Sequence, residues 1–216
     1  MSKINTVDYT KQFLKSNKEY HYNLEPSAEE YIVSSGSMIL DSYLGGGLGS
    51  GVHRFTGANE GGKTNEALNV MLHMLKTVES SKGVYIKAEG RLSKDIQKRS
   101  GLKFVSDAEE WVAGTCLVFE CNVFDVVFDF LRGLLRNNPD REKFCIVLDS
   151  MDGLLPNAEL EKTTGEAAKV AGGALMTSDF LKRVSLGMSK FGHMCIMISQ
   201  IRANINVNPY AKGDPN

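Results

Sequence analysis

The feature that most constrains this sequence is the glycine-rich segment Gly57-Ala58-Asn59-Glu60-Gly61-Gly62-Lys63-Thr64. It fits the phosphate-loop pattern G-x-x-x-x-G-K-[ST] at every fixed position. The short β-prone stretch Val52–Thr56 comes directly before it, and Asn65–Leu75 follows with apolar residues at helical spacing and no proline. A strand, a glycine loop and a helix in this order are the context that the pattern requires.

The loop and the adjoining Asn65 predict a binding site for a polyphosphate. Glycines let the backbone approach phosphate oxygens closely because no Cβ blocks the way. The N-terminus of the following helix directs free N–H groups and the positive end of its dipole at the anion. Lys63 would add a positive charge for the β- and γ-phosphates, and Thr64 a hydroxyl ligand for Mg²⁺, which prefers oxygen. A chance glycine loop is the alternative, and the strand and helix around the motif disfavour it.

The composition is that of an ordinary globular protein. The chain has 216 residues, of which 24% are charged and 42% hydrophobic, enough for one domain with a good core. The net charge of −1 means that any DNA contact must come from a local basic patch. No apolar run reaches the roughly 18–20 residues that span a bilayer, and Met1–Thr6 has no signal-peptide core. We therefore expect a cytoplasmic protein without a membrane partner, with reduced thiols at Cys116, Cys121, Cys145 and Cys195.

Strands and helices alternate along the chain from residue 34 onward. After the loop strand, we predict strands at 84–88, 115–121, 144–148 and 194–198, helices at 38–44, 92–100, 123–135 and 173–190, and a turn over 80–83. This order predicts an α/β protein with a mostly parallel twisted sheet and helices on both faces. Residues 1–33 are polar and are predicted to form an N-terminal accessory segment, including a helix over 7–16, before a core over 34–216.

Polar residues follow three of the predicted strands at the point where each strand ends: Glu89, Asp149 and Gln200. In parallel sheets ligands bind beyond the carboxyl ends of the strands, so these side chains should lie beside the phosphate loop. Asp149 would hold Mg²⁺ opposite Thr64, Glu89 would orient an attacking water, and Gln200 would sense the γ-phosphate. Taken singly, each could instead be a helix cap, a turn residue or a polar strand terminus.

Three basic residues are candidates for nucleic-acid contact. Lys162 and Lys169 lie in the segment 162–173, and Arg202 begins the polar tail. Positive charges on such loops can bind phosphates, although solvated surface charges have the same appearance in sequence.

Several segments together resemble the RecA family of recombinases: 36–48, 57–64, 85–89, 145–161 and 198–202. Their order and spacing are far more specific than the phosphate loop alone. The resemblance covers about residues 34–208. It implies a RecA-like P-loop NTPase that binds ATP and Mg²⁺ between protomers, forms filaments on single-stranded DNA and acts in homologous recombination and DNA repair.

The resemblance also implies roles for individual residues. It assigns water activation to Glu89, Mg²⁺ binding to Asp149 and Thr64, γ-phosphate sensing to Gln200 and DNA contact to Arg202. With Lys63, these residues would make the chain a DNA-dependent ATPase.

The sequence departs from the family pattern at several places. Lys87 stands where an acidic residue is common, and Ser93 and Ile96 stand where the family often has an aspartate and a tyrosine around the adenine. The N-terminal segment does not match the polymerisation helix, and the end at Asn216 indicates a fragment or a short, phage-type member. A non-catalytic nucleotide-dependent mediator and a helicase-type ring ATPase are alternatives, although the segments 156–161 and 200–202 favour a recombinase.

Overall fold

A single parallel sheet positions everything else in the computed structural model, which describes residues 5–21, 23–90, 92–157 and 172–201. Its six strands are all paired in parallel, in the order β1-β6-β5-β2-β4-β3. The strands are β1 (Gly51–Gly57), β2 (Ser81–Lys87), β3 (Lys103–Val105), β4 (Thr115–Glu120), β5 (Lys143–Asp149) and β6 (Met194–Gln200). The predicted α/β class and parallel sheet are confirmed.

Helices connect the strands and cover both faces of the sheet. They are α1 (Thr6–Ser16), α2 (Met38–Tyr43), α3 (Lys63–Thr77), α4 (Lys94–Ser100), α5 (Phe124–Arg136) and α6 (Gly172–Lys190). Short 3₁₀ turns occur at Lys18–Tyr20 and Met151–Gly153. Local sequence explains several boundaries: Ser37 and Ser93 cap α2 and α4 with their side chains, and Gly101 ends α4 in the left-handed conformation at φ 71°.

Strand β5 is buried on both faces, which is why its sequence is a continuous apolar run. Phe144, Ile146 and Leu148 belong to the core cluster that also contains residues of α5 and α6. Cys145 and Val147 belong to the cluster on the other face, with the apolar side of α3. Alternate side chains of β5 therefore pack into the two hydrophobic cores on opposite faces of the sheet.

Two parts of the sequence-based assignment were wrong. Strand β3 was missed because it has only three residues and lies at the edge of the sheet. The segment predicted as a turn at 80–83 instead begins β2 at Ser81. Gly83 is required there by packing, since an added Cβ would lie 2.8 Å from Met71 Sδ and 3.0 Å from Cys116 Cβ.

The segment before α2 contacts the far end of the sheet. Ala28 N–H donates to the Lys190 carbonyl, and Tyr31 O–H donates to the Gly192 carbonyl, each at 2.9 Å. Val33 forms an antiparallel bridge with Leu48. In contrast, helix α1 contributes no buried residue. Among the helices in the described ranges, none combines the length and the apolar character that crossing a bilayer would demand.

His193, just before β6, is buried in its neutral form. Its side chain stacks on Phe144 with ring centroids 5.1 Å apart, and its Nδ1 accepts the Phe144 backbone N–H at 3.1 Å. Burial disfavours the charged imidazolium and lowers the pKa of His193 to about 4. The ring is 1% exposed.

We predict that this buried histidine makes the fold sensitive to mild acid. Because the folded-state pKa lies below the ordinary value near 6.5, the unfolded chain takes up a proton first as the pH falls. The free energy of unfolding should therefore drop by about 2 kcal/mol more between pH 7.5 and 5.0 in the wild type than in His193→Asn. The asparagine keeps an acceptor for the Phe144 N–H but cannot titrate. Urea denaturation at the two pH values measures this difference, and equal pH dependence in both proteins would contradict it.

Candidate active site

Residues 60–65 of the predicted loop site and the predicted residues at the strand ends lie in one cleft of about 560 Å³. It opens at the carboxyl ends of the central strands, where α3 begins. Its lining residues are Glu60, Gly61, Gly62, Lys63, Thr64, Asn65, Glu89, Gly90, Ser93, Ile96, Asp149, Ile198 and Gln200. Gly57 is the last residue of β1, and Ala58 and Asn59 connect it to the residues that line this cleft.

The loop turns sharply into α3. Gly62 is the N-cap residue of the helix and has φ 83°, a conformation that favours glycine. Gly61 N–H donates to the Ala58 carbonyl at 3.2 Å, and an added Cβ on Gly61 would lie 3.1 Å from that carbonyl oxygen. The backbone thus folds back on itself without side chains in the way, as a phosphate cradle requires.

Lys63 holds its ammonium group against the loop. Its Nζ donates to the carbonyl oxygens of Gly57 at 3.0 Å and Ala58 at 2.6 Å. Lys63 also opens α3, so its positive charge and the positive end of the helix dipole occupy the same part of the cleft. This arrangement favours an anionic ligand.

A three-residue network fixes the carboxylate at the end of β5. Thr64 Oγ1 donates to Asp149 Oδ2 at 2.7 Å, and Tyr85 O–H donates to the same oxygen. Tyr85 is 1% exposed, and its burial, together with the charge of Asp149, raises the pKa of its phenol well above the ordinary value. Tyr85 therefore remains a hydrogen-bond donor.

The donor set at this point fits Mg²⁺. The hydroxyl of Thr64 and the carboxylate of Asp149 are hard oxygen donors, which Mg²⁺ prefers. Across the described ranges, no group of three or more His, Cys, Asp and Glu residues could hold a metal by itself. A cation between Thr64 and Asp149 would therefore take further ligands from water or from phosphate oxygens, as Mg²⁺ commonly does.

Glu89 is held at the end of β2 by contacts with the end of β5. Ser150 Oγ donates to Glu89 Oε1 at 2.7 Å. The backbone N–H groups of Ala88 and Glu89 both donate to the Asp149 carbonyl, at 3.0 and 3.3 Å. Gly153 lets the chain pass close by, because an added Cβ there would lie 2.7 Å from Glu89 Cγ. The two carboxylates of the cleft are thus positioned by one local framework.

Gln200 ends β6 directly beside the phosphate loop. It is paired in register with Gly57, and the next residue, Ile201, donates its N–H to the Gly57 carbonyl at 3.1 Å. The backbone N–H of Gln200 donates to Asp152 Oδ2 at 2.8 Å. Backbone hydrogen bonds therefore join the end of β6 to the residue that begins the phosphate loop.

The residues that depart from the expected pattern also have defined positions. Lys87 forms an ion pair of 2.8 Å with Glu120 on the neighbouring strand β4. Ser93 uses its hydroxyl to cap α4, and Ile96 lies on the first turn of that helix at the edge of the cleft. An uncharged polar group and an aliphatic group thus stand where an aspartate and a tyrosine were expected.

Sequence reasoning missed Tyr85, Ser150 and Asp152, which position the predicted residues. In the sequence, Tyr85 has the pattern of an ordinary residue of a buried strand. The one feature that could have indicated a polar role is its phenol hydroxyl, which stands between the apolar residues Val84 and Ile86. Ser150 and Asp152 lie within the segment 145–161 that resembles the RecA family, but no spacing in the sequence assigns them a role. The predicted DNA-binding residues Lys162, Lys169 and Arg202 lie outside the described residues.

Comparison with known proteins agrees with this geometry. The chain matches the family model described as the RecA N-terminal domain over residues 11–214. It is similar to Protein RecA of Gloeobacter violaceus, with 30% identity over 176 residues, covering 81% of this chain and 44% of that protein. The corresponding protein of Bordetella avium is 29% identical over 199 residues, covering 91% and 52%. That of Mesoplasma florum is 30% identical over 190 residues, covering 86% and 52%.

The chain spans about half the length of these curated relatives. The region of this chain that matches the family model, residues 11–214, contains the parallel sheet and the cleft described above. Because the family model covers nearly the whole chain, this protein belongs to the RecA family.

Proposed function

We propose that this chain is the ATP-binding core of a recombinase, which hydrolyses ATP when it is assembled on single-stranded DNA. The observation that carries this proposal is the hydrogen bond between Thr64 and Asp149, in the cleft that also contains Lys63 and Glu89. A helix N-terminus, an ammonium group, two hard oxygen donors and a second carboxylate converge there. This combination is typical of phosphoryl transfer from a nucleoside triphosphate.

The loop and α3 bind the triphosphate in this proposal. Backbone N–H groups of residues 58–65 surround the β- and γ-phosphates, and Lys63 releases its loop carbonyls to neutralise phosphate charge. Thr64 and Asp149 hold Mg²⁺, whose contribution is to neutralise charge that develops on the phosphate oxygens. Asp149 is positioned for this role because Tyr85 fixes one of its oxygens.

Glu89 orients the attacking water in this proposal. A carboxylate at the end of the neighbouring strand can accept a hydrogen bond from water that lies in line with the γ-phosphate. Ser150 fixes one oxygen of Glu89 and so limits the directions in which that carboxylate can turn. Gln200 senses the γ-phosphate beside Gly57, and its chain leads directly to the segment after β6.

The DNA-binding half of the proposal rests on the family and on chain position. Lys162 and Lys169 lie between β5 and α6, and Arg202 comes shortly after β6. Strands β5 and β6 end at the edge of the sheet that carries the cleft, and these residues follow them in the sequence. On that ground we propose that Lys162, Lys169 and Arg202 bind DNA phosphates. Self-association into a filament would set many such contacts along one strand and would serve recombination and repair in the cytoplasm.

Substitutions of Lys63 and Glu89 should separate binding from turnover. Lys63→Ala should weaken ATP binding about 10- to 100-fold, because a charged hydrogen-bond donor is lost. Glu89→Gln should leave ATP affinity within about twofold and lower turnover about 100-fold, as expected for losing a group that orients water. Fluorescent-nucleotide titration and phosphate-release assays with and without single-stranded DNA measure both quantities.

Lys76→Ala is the matched control for Lys63→Ala, since Lys76 is an exposed lysine in the last turn of the same helix. No ATP binding by the wild type would refute the proposed function. Binding with no turnover under any DNA condition would instead indicate a nucleotide-dependent mediator, and closed rings in electron micrographs would indicate a helicase-type assembly.

Tyr85→Phe tests whether the phenol positions the Mg²⁺ ligand. Loss of this hydrogen bond should raise the Mg²⁺ concentration needed for half-maximal ATPase activity by about tenfold, as for other groups that orient metal ligands. Tyr31→Phe is the control, because it also removes a phenol hydrogen bond, one that is partly buried and made to Gly192 at the other end of the sheet. If both variants shift the Mg²⁺ dependence equally, Tyr85 has only a structural role.

A further inference from the structure

A second cavity, of about 610 Å³, lies where β5 and β6 begin, at the opposite edge of the sheet from the nucleotide cleft. Its volume is typical of a site for a small organic ligand. The N-terminal segment forms one wall, and the end of α5, the turn before β5 and the end of α6 form the others. Many of the residues that line it are charged or titratable.

His193 is one of the residues that line this cavity, and its side chain carries an unpartnered donor. Its Nδ1 accepts the Phe144 N–H, so the neutral ring carries its proton on Nε2. Nε2 is buried, and no group in the described part of the chain pairs with it. A buried donor without a partner destabilises the fold, so a ligand oxygen that accepts this proton would remove that cost.

The same cavity is lined by basic side chains that form no ion pair in the described part of the chain. Within the described ranges, Lys18, Arg136, Arg141 and Lys143 take part in no ion pair, whereas Arg183 pairs with Asp179 at 2.9 Å. The Lys143 ammonium lies 5.8 Å from the centre of the Tyr31 ring, which leaves its hydrogen-bonding capacity available.

Negative charge is also present, but it belongs to one wall. Glu19, Glu25 and Glu29 all come from the N-terminal segment. The unpaired arginines and Lys143 come from the sheet and helix side, where His193 is also located. A ligand that complements both walls carries one anionic group toward His193 and hydroxyl groups toward the glutamates.

We propose that this cavity is a second ligand site, which binds the phosphate group of a small, hydroxyl-bearing molecule. His193 Nε2–H donates to one phosphate oxygen, and Arg141 and Lys143 supply the positive charge. The site requires neither the phosphate loop nor Mg²⁺, so it is independent of the proposed ATPase activity.

Inorganic phosphate is the probe for a direct test. The titration uses Lys63→Ala protein, so that the phosphate loop does not contribute, and a sodium chloride titration at equal ionic strength controls for screening. Backbone amide NMR signals of Phe144 and His193 should shift and saturate with a midpoint on the order of 1 mM. Glycerol 3-phosphate should bind at least as tightly as inorganic phosphate, and glycerol should leave the signals unchanged.

Further substitutions identify the groups that bind. In the same background, Arg141→Gln and His193→Asn should each raise the midpoint about tenfold, because each removes a hydrogen bond to a charged group. Arg132→Gln is the control, since Arg132 lies on α5 outside the cavity and pairs with Asp129. Shifts that do not saturate, or equal midpoints in Arg141→Gln and Arg132→Gln, would overturn the proposal. Because Arg141 is exposed, its substitution tests the site without disturbing the core.

Discussion

The hydrogen bond from Thr64 to Asp149 is the interaction on which the proposed site depends. It joins the first turn of α3 to the end of β5, two elements whose residues are 85 positions apart in sequence. Both side chains offer oxygen atoms as metal ligands. The phenol of Tyr85 donates a hydrogen bond to the same Asp149 oxygen that Thr64 contacts. The contact therefore joins two elements of the fold, and in our proposal these two residues would hold a divalent cation.

The sheet fixes the position of Asp149. Strand β5 is buried by α3 on one face and by α5 and α6 on the other, so Asp149 projects from a rigid element. Its neighbours β2 and β6 end at the same edge and carry Glu89 and Gln200. Two carboxylates and one amide, far apart in the chain, reach one cleft because parallel strands end at the same edge. The backbone bonds from Ala88 and Glu89 to the Asp149 carbonyl then fix the spacing of the two carboxylates.

The parts of this architecture that could be predicted are those in which local sequence carries the constraint. The phosphate loop has fixed glycines and a fixed lysine, and the run 144–148 is apolar because both faces are covered. Strand β3 escaped prediction since three residues carry too little pattern. The turn predicted over 80–83 was wrong because Gly83 is present for close packing against Met71, which only the tertiary structure reveals.

Residues that act through neighbours were beyond sequence reasoning for a related reason. Tyr85 and Ser150 matter because of where Asp149 and Glu89 lie in space, and no local spacing encodes that relationship. The cavity beside His193 likewise depends on the way the N-terminal segment covers the start of β5 and β6. In each case packing between distant parts of the chain creates the contact. Motifs and periodicity predict only the helix or strand in which a residue lies.

The central claim is that Asp149, with Thr64, holds Mg²⁺ against a bound nucleoside triphosphate. Its most direct test is the affinity for ATP measured with and without Mg²⁺, by isothermal titration calorimetry, in the wild type and in Asp149→Asn. The account predicts that Mg²⁺ strengthens ATP binding by about tenfold or more in the wild type and by less than about twofold in the variant, because a neutral amide is a poor ligand for a hard cation. The same Mg²⁺-dependent gain in both proteins would contradict it.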